Sequence, residues 1–329
     1  MRVRKILCIC LAVLLSLAAA VGIIGVTQFY HRSNPKNVEH YDTDNPLITG
    51  TTTISAHRSG AGEFPEETLA AFRGCVENPN VQVDYFEFDL HMTADDVLVL
   101  THDETLDRVS DAVSVFGGEN IKVREKTLEE LKQLNMAAQF ENDAGEMPYA
   151  DLHGDAVPEE LRILSLDEVL DYLTSAGEYR FIIEIKDRGD VGMAAADELY
   201  ATLKERNLLD RVIIGSFQDD VLRYITEQYP DAHRSASPDE VVQFYLAAMT
   251  NKKDFDCSYD VLQLPFNDAK ESHYVNLGIV KLINYAHAHN LAIQYWTVND
   301  AQEMEYLISI GADALITDYP ERAAEVLSR

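Results

Sequence analysis

Beyond Thr51 the chain alternates short β-branched or aromatic runs with longer amphipathic stretches, and this alternation limits the fold more than any other feature. Strands are expected at Thr52–Ala56, Tyr85–His91, Val97–Thr101, Phe181–Ile185, Val212–Gly215, Val261–Pro265, Ala292–Thr297 and Ala314–Thr317. Helical periodicity falls at Thr68–Val76, Leu166–Thr174, Gly192–Glu205, Asp219–Gln228, Asp239–Ala248, Leu277–His289 and Ala301–Ile310. Pro320–Leu327 reads as a last helix opened by its proline. Strands joined by helices run parallel, so the fold class is α/β with a mostly parallel sheet. About eight such units in roughly 280 residues fit a closed (β/α)8 TIM barrel better than an open sheet.

The ionisable residues fall where a barrel would use them. His57, Glu87 and Asp89, Glu184 and Lys186, Ser216, Trp296 and Asp318 sit at or just past the C-terminal ends of the expected strands, the face on which barrel active sites are built. An open sheet would gather them at one switch point instead. In Tyr85-Phe-Glu-Phe-Asp-Leu-His91 the strand alternation puts Glu87, Asp89 and His91 on one face of an otherwise apolar strand. Paired carboxylates there repel each other and need a partner, and hard oxygen donors suit Ca²⁺ or Mg²⁺ rather than zinc. Phe181-Ile-Ile-Glu-Ile-Lys186 repeats the pattern, with Glu184 as a third carboxylate for the metal and Lys186 as a cation for phosphate. A buried salt bridge alone is a weak reason to place two charges in a core. His57 and His102 can move protons near neutral pH, and the planar fork of Arg58 suits a phosphoryl group. Trp296, the only tryptophan, ends a strand and fits either core packing or the apolar wall of a substrate pocket. Asp318 reads as a cap for the helix that follows it, and His91 as a supporting or packing residue. Gly60 and Gly62 either let the backbone pass close to a ligand or simply make the turn.

Ahead of this domain, Arg2, Arg4 and Lys5 form a basic tail (residues 1–5) before an uncharged apolar stretch, Ile6–Val26. That stretch is long enough to span a bilayer, which takes about 20 residues, and it continues past Ala18-Ala-Ala20, where a cleavage site would fall. Residues 6–27 are therefore expected to be an uncleaved transmembrane signal anchor in the cell membrane, with secretion after cleavage as the alternative. The basic flank places the rest of the chain outside the cytoplasm. Residues 28–50 lack periodicity and read as a linker to the barrel domain, 51–329. Within that domain, residues 103–162 break the rhythm. The polar run Glu141–Glu160 is expected to be a solvated acidic loop above the barrel mouth, with a substrate-shaping lid as the alternative.

A net charge of −29 argues against nucleic-acid binding and against adhesion to anionic lipid through a basic face. A phosphate ester substrate would be attracted by a local metal and a few cations, not by the overall field. Cys75 and Cys257 could pair in an oxidising compartment, but two unpaired buried thiols fit the habit of free cysteine better.

Taken together, the motifs resemble the glycerophosphodiester phosphodiesterase family over residues 52–329. They are His57-Arg58, Pro65-Glu-Glu-Thr-Leu-Ala-Ala-Phe72, Glu87-Phe-Asp-Leu-His-Met-Thr93 and Thr101-His-Asp-Glu-Thr-Leu-Asp-Arg108. Thr127-Leu-Glu-Glu-Leu131, Leu164-Ser-Leu-Asp-Glu-Val-Leu170, Ile183-Glu-Ile-Lys186, Trp296-Thr-Val-Asn299 and Gly311-Ala-Asp-Ala-Leu-Ile-Thr-Asp-Tyr-Pro320 follow. The resemblance implies a (β/α)8 barrel, one Ca²⁺ or Mg²⁺, and hydrolysis of glycerophosphodiesters to glycerol 3-phosphate and an alcohol. By matching position, Glu87, Asp89 and Glu184 would hold the metal, His57 and His102 would be the acid–base pair, and Arg58 and Lys186 would meet the phosphate. Analogy with related phospholipases makes His57 the base and His102 the acid. Lysolipids cleaved in the manner of a phospholipase D, or polymers of glycerol phosphate, are alternative substrates. A non-catalytic ligand-binding barrel would lack a histidine or a metal carboxylate, and all five are present. Three positions depart from the family pattern: Ser59 stands for a glycine, Glu67 for an asparagine, and Asp95-Asp96 for an Asp-Gly turn.

Overall fold

A computed structural model describes residues 32–266 and 275–329. Its strands are β1 (Thr53–Ala56), β2 (Tyr85–Met92), β3 (Leu98–Leu100), β4 (Arg180–Ile185), β5 (Val212–Gly215), β6 (Val261–Pro265), β7 (Ala292–Trp296) and β8 (Ala314–Thr317). The helices are α1 (Leu69–Glu77), α2 (Ala112–Phe116), α3 (Leu128–Leu131), α4 (Leu166–Ala176) and α5 (Gly189–Glu205), followed by α6 (Asp219–Gln228), α7 (Pro238–Thr250), α8 (Val280–Ala288), α9 (Ala301–Ser309) and α10 (Pro320–Leu327). The parallel strands run β5–β4–β2–β1–β8–β7–β6 around a (β/α)8 TIM-barrel-like fold.

Two members of the ring differ from the strands expected from sequence. β3 is a strand, but it pairs antiparallel with β2, Leu90 opposite Leu100, and lies outside the ring. Too few residues separate it from β2 for the crossover a parallel partner needs. The place between β5 and β6 is taken instead by residues 234–235. Arg234 bridges Ile214 and Ser235 bridges Val261, both in parallel. The sequence there, Ala232-His-Arg-Ser-Ala236, has neither β-branched residues nor a period of two, so nothing marks it as a strand.

Inside and outside alternate along each strand. On β2, Phe86, Phe88 and Leu90 point outward into a core shared with Phe72 of α1 and Leu199 of α5. Tyr85 points inward and joins Ile182, Ile213, Val261, Ala292 and Ile316, which fill the N-terminal end of the barrel. Above that apolar floor the inward positions of β2 and β4 carry Glu87, Asp89 and Glu184. Register places Asp89 directly beside Glu184.

The residues expected to be a linker are in part a strap beneath the barrel. Ser33 N–H donates to the Tyr306 hydroxyl (2.8 Å) and Glu39 N–H to Asn284 Oδ1 (3.0 Å). Asn45 Nδ2 donates to the carbonyls of Asp260 and Asn290, each at 2.8 Å, and Leu47 joins the apolar floor. Asparagine and backbone hydrogen bonds dock this segment, so it leaves no periodicity to read. The expected anchor, residues 6–27, lies outside the described residues. Among the described residues no helix is long and apolar enough to cross a membrane, and the expectation of a membrane-anchored, external domain is withdrawn on that ground.

Residues 103–162 pack a small core of their own around Leu106, Val123, Leu131 and Leu134. Their acidic run, including Glu141, Asp143, Glu146, Asp151, Asp155 and Glu159, is exposed. Both cysteines of the described residues, Cys75 and Cys257, are free thiols.

The two-residue bridge is held by charge. Arg234 is buried and donates two parallel hydrogen bonds to Glu240 (2.7 Å each), with further bonds to Thr226 Oγ1 (2.7 Å) and Ser258 Oγ (2.8 Å). Removing the carboxylate strands a buried guanidinium, which costs about 3–5 kcal/mol for a fully buried pair. Because Glu240 is itself partly exposed, Glu240→Ala is expected to lower the unfolding free energy by about 3 kcal/mol in urea titrations.

Candidate active site

The turn after β1 fixes the first half of the site. His57, Arg58 and Ser59 form a short 3-10 turn in which Arg58 and Ser59 adopt left-handed φ values of 45° and 65°. The position at which the resemblance leads one to expect glycine is thus one whose backbone favours it, and here Ser59 carries the strain. This bend aims the Arg58 N–H at Glu87, with 2.7 Å to Oε2. Gly60, at φ 88°, and Gly62, where a Cβ would meet the Tyr319 ring at 2.5 Å, serve the turn and its packing.

Each histidine has a carboxylate on one nitrogen. His57 Nδ1 donates to Asp318 Oδ1 at 2.6 Å, and Asp318 Oδ2 accepts from Asn299 Nδ2 at 2.7 Å. The expected cap role of Asp318 is corrected, since α10 has no side-chain cap and the carboxylate points to the histidine. His57 Nε2 then faces the cavity, 4.0 Å from Glu87 Oε2. Burial disfavours its charge, but Glu87 and Asp318 outweigh burial and raise its proton affinity. His102 Nδ1 donates to Asp103 Oδ1 at 2.7 Å, and Arg108 bonds both Asp103 and, through two nitrogens, Glu66. The hydrogen bond from His102, assisted by Arg108, holds the Asp103 carboxyl well below the usual range. Asp103 and Asp318 were not singled out for chemistry by sequence reasoning. The signal available was Asp103 adjoining His102, and Asp318 at the end of a barrel strand.

Three carboxylates share the cavity with the two histidines. One oxygen each from Glu87, Asp89 and Glu184 can be chosen so that all lie within 4.8 Å of one another. Glu87 and Asp89 are buried, and Asp89 is 1 % exposed with neither carboxylate oxygen hydrogen-bonded. Burial, reinforced by Asp89, pushes the Glu87 carboxyl up to about 7. Burial, again with Asp89, also raises Glu184. Asp89 moves the other way: Lys186 and Arg58 overcome its burial and keep it ionised. Lys186 Nζ lies 2.9 Å from Glu184 and 3.5 Å from Asp89, and Arg58 Nε is 3.6 Å from Asp89. Three converging oxygen donors, of which Asp89 has neither oxygen hydrogen-bonded, fit a hard divalent cation.

Glu67, which stands for the family asparagine, is buried with φ 57° and does not face the cavity. Its Oε1 accepts the Asp89 N–H at 2.6 Å, and burial, with Asp89 beside it, drives its carboxyl far above the ordinary range. It clasps the backbone of β2 and does not join the cavity wall. His91 likewise turns away, with Nδ1 donating to Asp187 at 2.7 Å.

His57, Arg58, Glu87, Asp89, His102, Glu184, Lys186 and Trp296 all line one cavity of about 590 Å³, and no residue from 103 to 162 lines it. Trp296 is part of the wall. Its Nε1 donates to the Gln263 carbonyl at 3.0 Å, and Phe217 stands edge-on to its ring, 5.6 Å between centroids.

The glycerophosphoryl diester phosphodiesterase family model matches residues 57–322. A glycerophosphodiester phosphodiesterase of Caldanaerobacter subterraneus is 29% identical over 274 residues, covering 82% of this chain and 95% of the relative. One of Bacillus subtilis is 27% identical over 272 residues, covering 81% and 83%. The fold matches a crystal structure of a phosphodiesterase from Oleispira antarctica bound to its product sn-glycerol 3-phosphate, with a TM-score of 0.62, 19% identity, and coverage of 86% of this chain and 99% of that one. With motif, fold and convergent site in agreement, the chain belongs to the glycerophosphoryl diester phosphodiesterase family and is a phosphoric diester hydrolase.

Proposed function

We propose that this chain hydrolyses glycerophosphodiesters to glycerol 3-phosphate and an alcohol by acid–base catalysis between His57 and His102. The observation that carries the reading is the convergence of three carboxylates in one cavity with two histidines, each oriented by its own aspartate. Arg58 and Lys186, held charged by the same carboxylates, sit where they would receive the phosphate. Glu87, Asp89 and Glu184 would hold one divalent cation, Ca²⁺ or Mg²⁺. When bound, such an ion polarises a hydroxyl and a phosphoryl oxygen and neutralises developing charge.

The first step is attack by the glycerol 2-hydroxyl on phosphorus. His57 Nε2 takes the hydroxyl proton, the new O–P bond closes a cyclic phosphate, and the bond to the alcohol breaks as His102 Nε2 gives the alcohol its proton. Water then opens the ring with the two histidines in exchanged roles, leaving glycerol 3-phosphate. The hydrogen bonds to Asp318 and Asp103 fix each ring with Nδ1 occupied, so Nε2 is the nitrogen that exchanges protons. Relatives named for this activity over most of their length support the reading.

His57→Ala and His102→Ala are each expected to lower kcat for glycerophosphocholine on the order of 10²–10⁴-fold with the fold retained by circular dichroism. Parent-like turnover in either would sink the scheme. Metal and pH supply a second test. The Glu87 carboxyl, at about 7 when folded against an ordinary 4.5, holds its proton longer in the folded state. The contribution of this group to stability in chelator is therefore full below 4.5 and is lost as pH rises through 7, and Glu87→Gln removes that pH-dependent share. Added Ca²⁺ or Mg²⁺ at 100 times its dissociation constant is expected to restore about 2.7 kcal/mol near neutral pH, read from urea unfolding.

A further inference from the structure

Next to Glu184 the cavity wall carries a small polar notch. Gly215, the last residue of β5, lies directly beside Glu184 in the sheet register. Nothing in its backbone asks for glycine, because its φ lies outside the left-handed region. Packing does not ask for it either, since a Cβ there would meet its nearest non-adjacent atoms at 3.5 Å, an ordinary contact. A glycine inside a strand gives up side-chain packing, and the close approach of a ligand is one reason to keep it. The two atoms nearest the place of that absent Cβ are Gln263 Oε1 and Ser235 Oγ, each 3.5 Å away. Glu184, Gly215, Ser235 and Gln263 all line the cavity, so the notch opens onto it.

The polar atoms of the notch are set in advance. Gln263 stands beside Gln294 in the register of β6 and β7, and its Nε2 donates to Gln294 Oε1 at 3.0 Å. Gln294 is buried, so it grips that amide from inside the barrel. With Nε2 so engaged, Oε1 is presented to the notch as an acceptor. Ser235, buried in the bridge between β5 and β6, adds a hydroxyl that can donate or accept. The neighbouring Ser216 hydroxyl, by contrast, is spent on the Ile185 carbonyl (2.7 Å) and the Gln218 N–H (3.1 Å). An acceptor on one side and a hydroxyl on the other suit a neutral hydroxyl group. An ammonium would trade its hydration for two uncharged partners, which is costly.

Building on the phosphodiesterase reading above, we propose that Gly215, Ser235 and Gln263 form a subsite for the terminal hydroxyl of glycerol and so select diesters in which that hydroxyl is free. Neighbouring strands stand about 4.8 Å apart, a step that one carbon–carbon bond and a hydrogen bond span. With the attacking 2-hydroxyl over Glu184, the hydroxyl on the adjoining carbon reaches the notch on β5. There it donates to Gln263 Oε1 and accepts from Ser235 Oγ. A hydrogen or an ester in its place removes the donor and leaves the Gln263 carbonyl without a partner when substrate closes the cavity. The bond broken and the proton transfers are those given above.

The experiment measures choline release by the full chain, with Ca²⁺ or Mg²⁺ present, from glycerophosphocholine and from 2-hydroxypropyl phosphocholine. The second diester keeps the attacking hydroxyl and lacks only the terminal one. The parent is expected to show a kcat/KM about 10- to 100-fold lower for it. Gln263→Leu is expected to lose kcat/KM mainly on glycerophosphocholine, which brings the ratio between the two diesters toward one. Equal cleavage of both by the parent overturns the subsite and leaves the phosphodiesterase reading standing. A loss in Gln263→Leu that is the same for both diesters also overturns it, because a merely structural residue would act that way. Where Gln263→Leu does not fold, Gly215→Ala decides: its methyl fills the notch with ordinary contacts, so the ratio is expected to fall, and an unchanged ratio overturns the assignment. Failure of the parent to cleave either diester overturns both readings.

Discussion

Three carboxylates aimed into the interior of one barrel repel one another, and most of the local structure around them answers that repulsion. The inward alternation of β2 and β4 forces Glu87, Asp89 and Glu184 together, because moving any of them to the outer face would shift the register by one residue and turn Phe86, Phe88 and Ile183 inward. Two cations, Arg58 and Lys186, settle against Asp89, which stays ionised, while Glu87 and Glu184 hold protons more tightly. The left-handed turn at Arg58 and Ser59 follows from the same need, since it delivers a backbone N–H to Glu87. The strain of that turn is retained because the turn also positions His57.

The histidines are placed by a separate device. Each is fixed through Nδ1 by an aspartate that is itself held: Asp318 by Asn299, and Asp103 by Arg108. Arg108 also pairs with Glu66, which lies 3.7 Å from Arg58, so the rim beside His102 is linked by charge to the turn beside His57. A chain of ion pairs thus spans the mouth from the turn after β1 to the segment after β3, and through Arg58 it reaches Asp89 of the carboxylate cluster.

Much of this was legible in the sequence because it depends on simple periods. A period of two in Tyr85–His91 and Phe181–Lys186 is enough to put the charged residues inside and the aromatic ones outside. Features built from hydrogen bonds between distant residues left no period. The bridge at Arg234 and Ser235 closes the ring through Glu240 and Ser258, and the strap at Asn45 docks through two carbonyls far along the chain. The antiparallel course of β3 was misread as another barrel strand because strand propensity does not encode direction. Asp318 lay at a helix start, where an aspartate commonly serves as a cap, and only its 2.6 Å contact with His57 reveals its role. Glu67 reads in the sequence as an acid near the substrate, whereas burial beside Asp89 raises its proton affinity and turns it to the β2 backbone, which only its neighbours reveal.

The cavity itself is divided between the two halves of the ring. Its charged wall comes from β1, β2, β4 and the turn after β3, and its apolar wall from β5, the 234–235 bridge, β6, β7 and α7. These halves pack separate hydrophobic cores, one around Phe88 and Leu199 and the other around Phe244 and Tyr295. A substitution on α7 or in the 234–235 bridge can therefore reshape the apolar wall without touching a charged residue that lines the cavity.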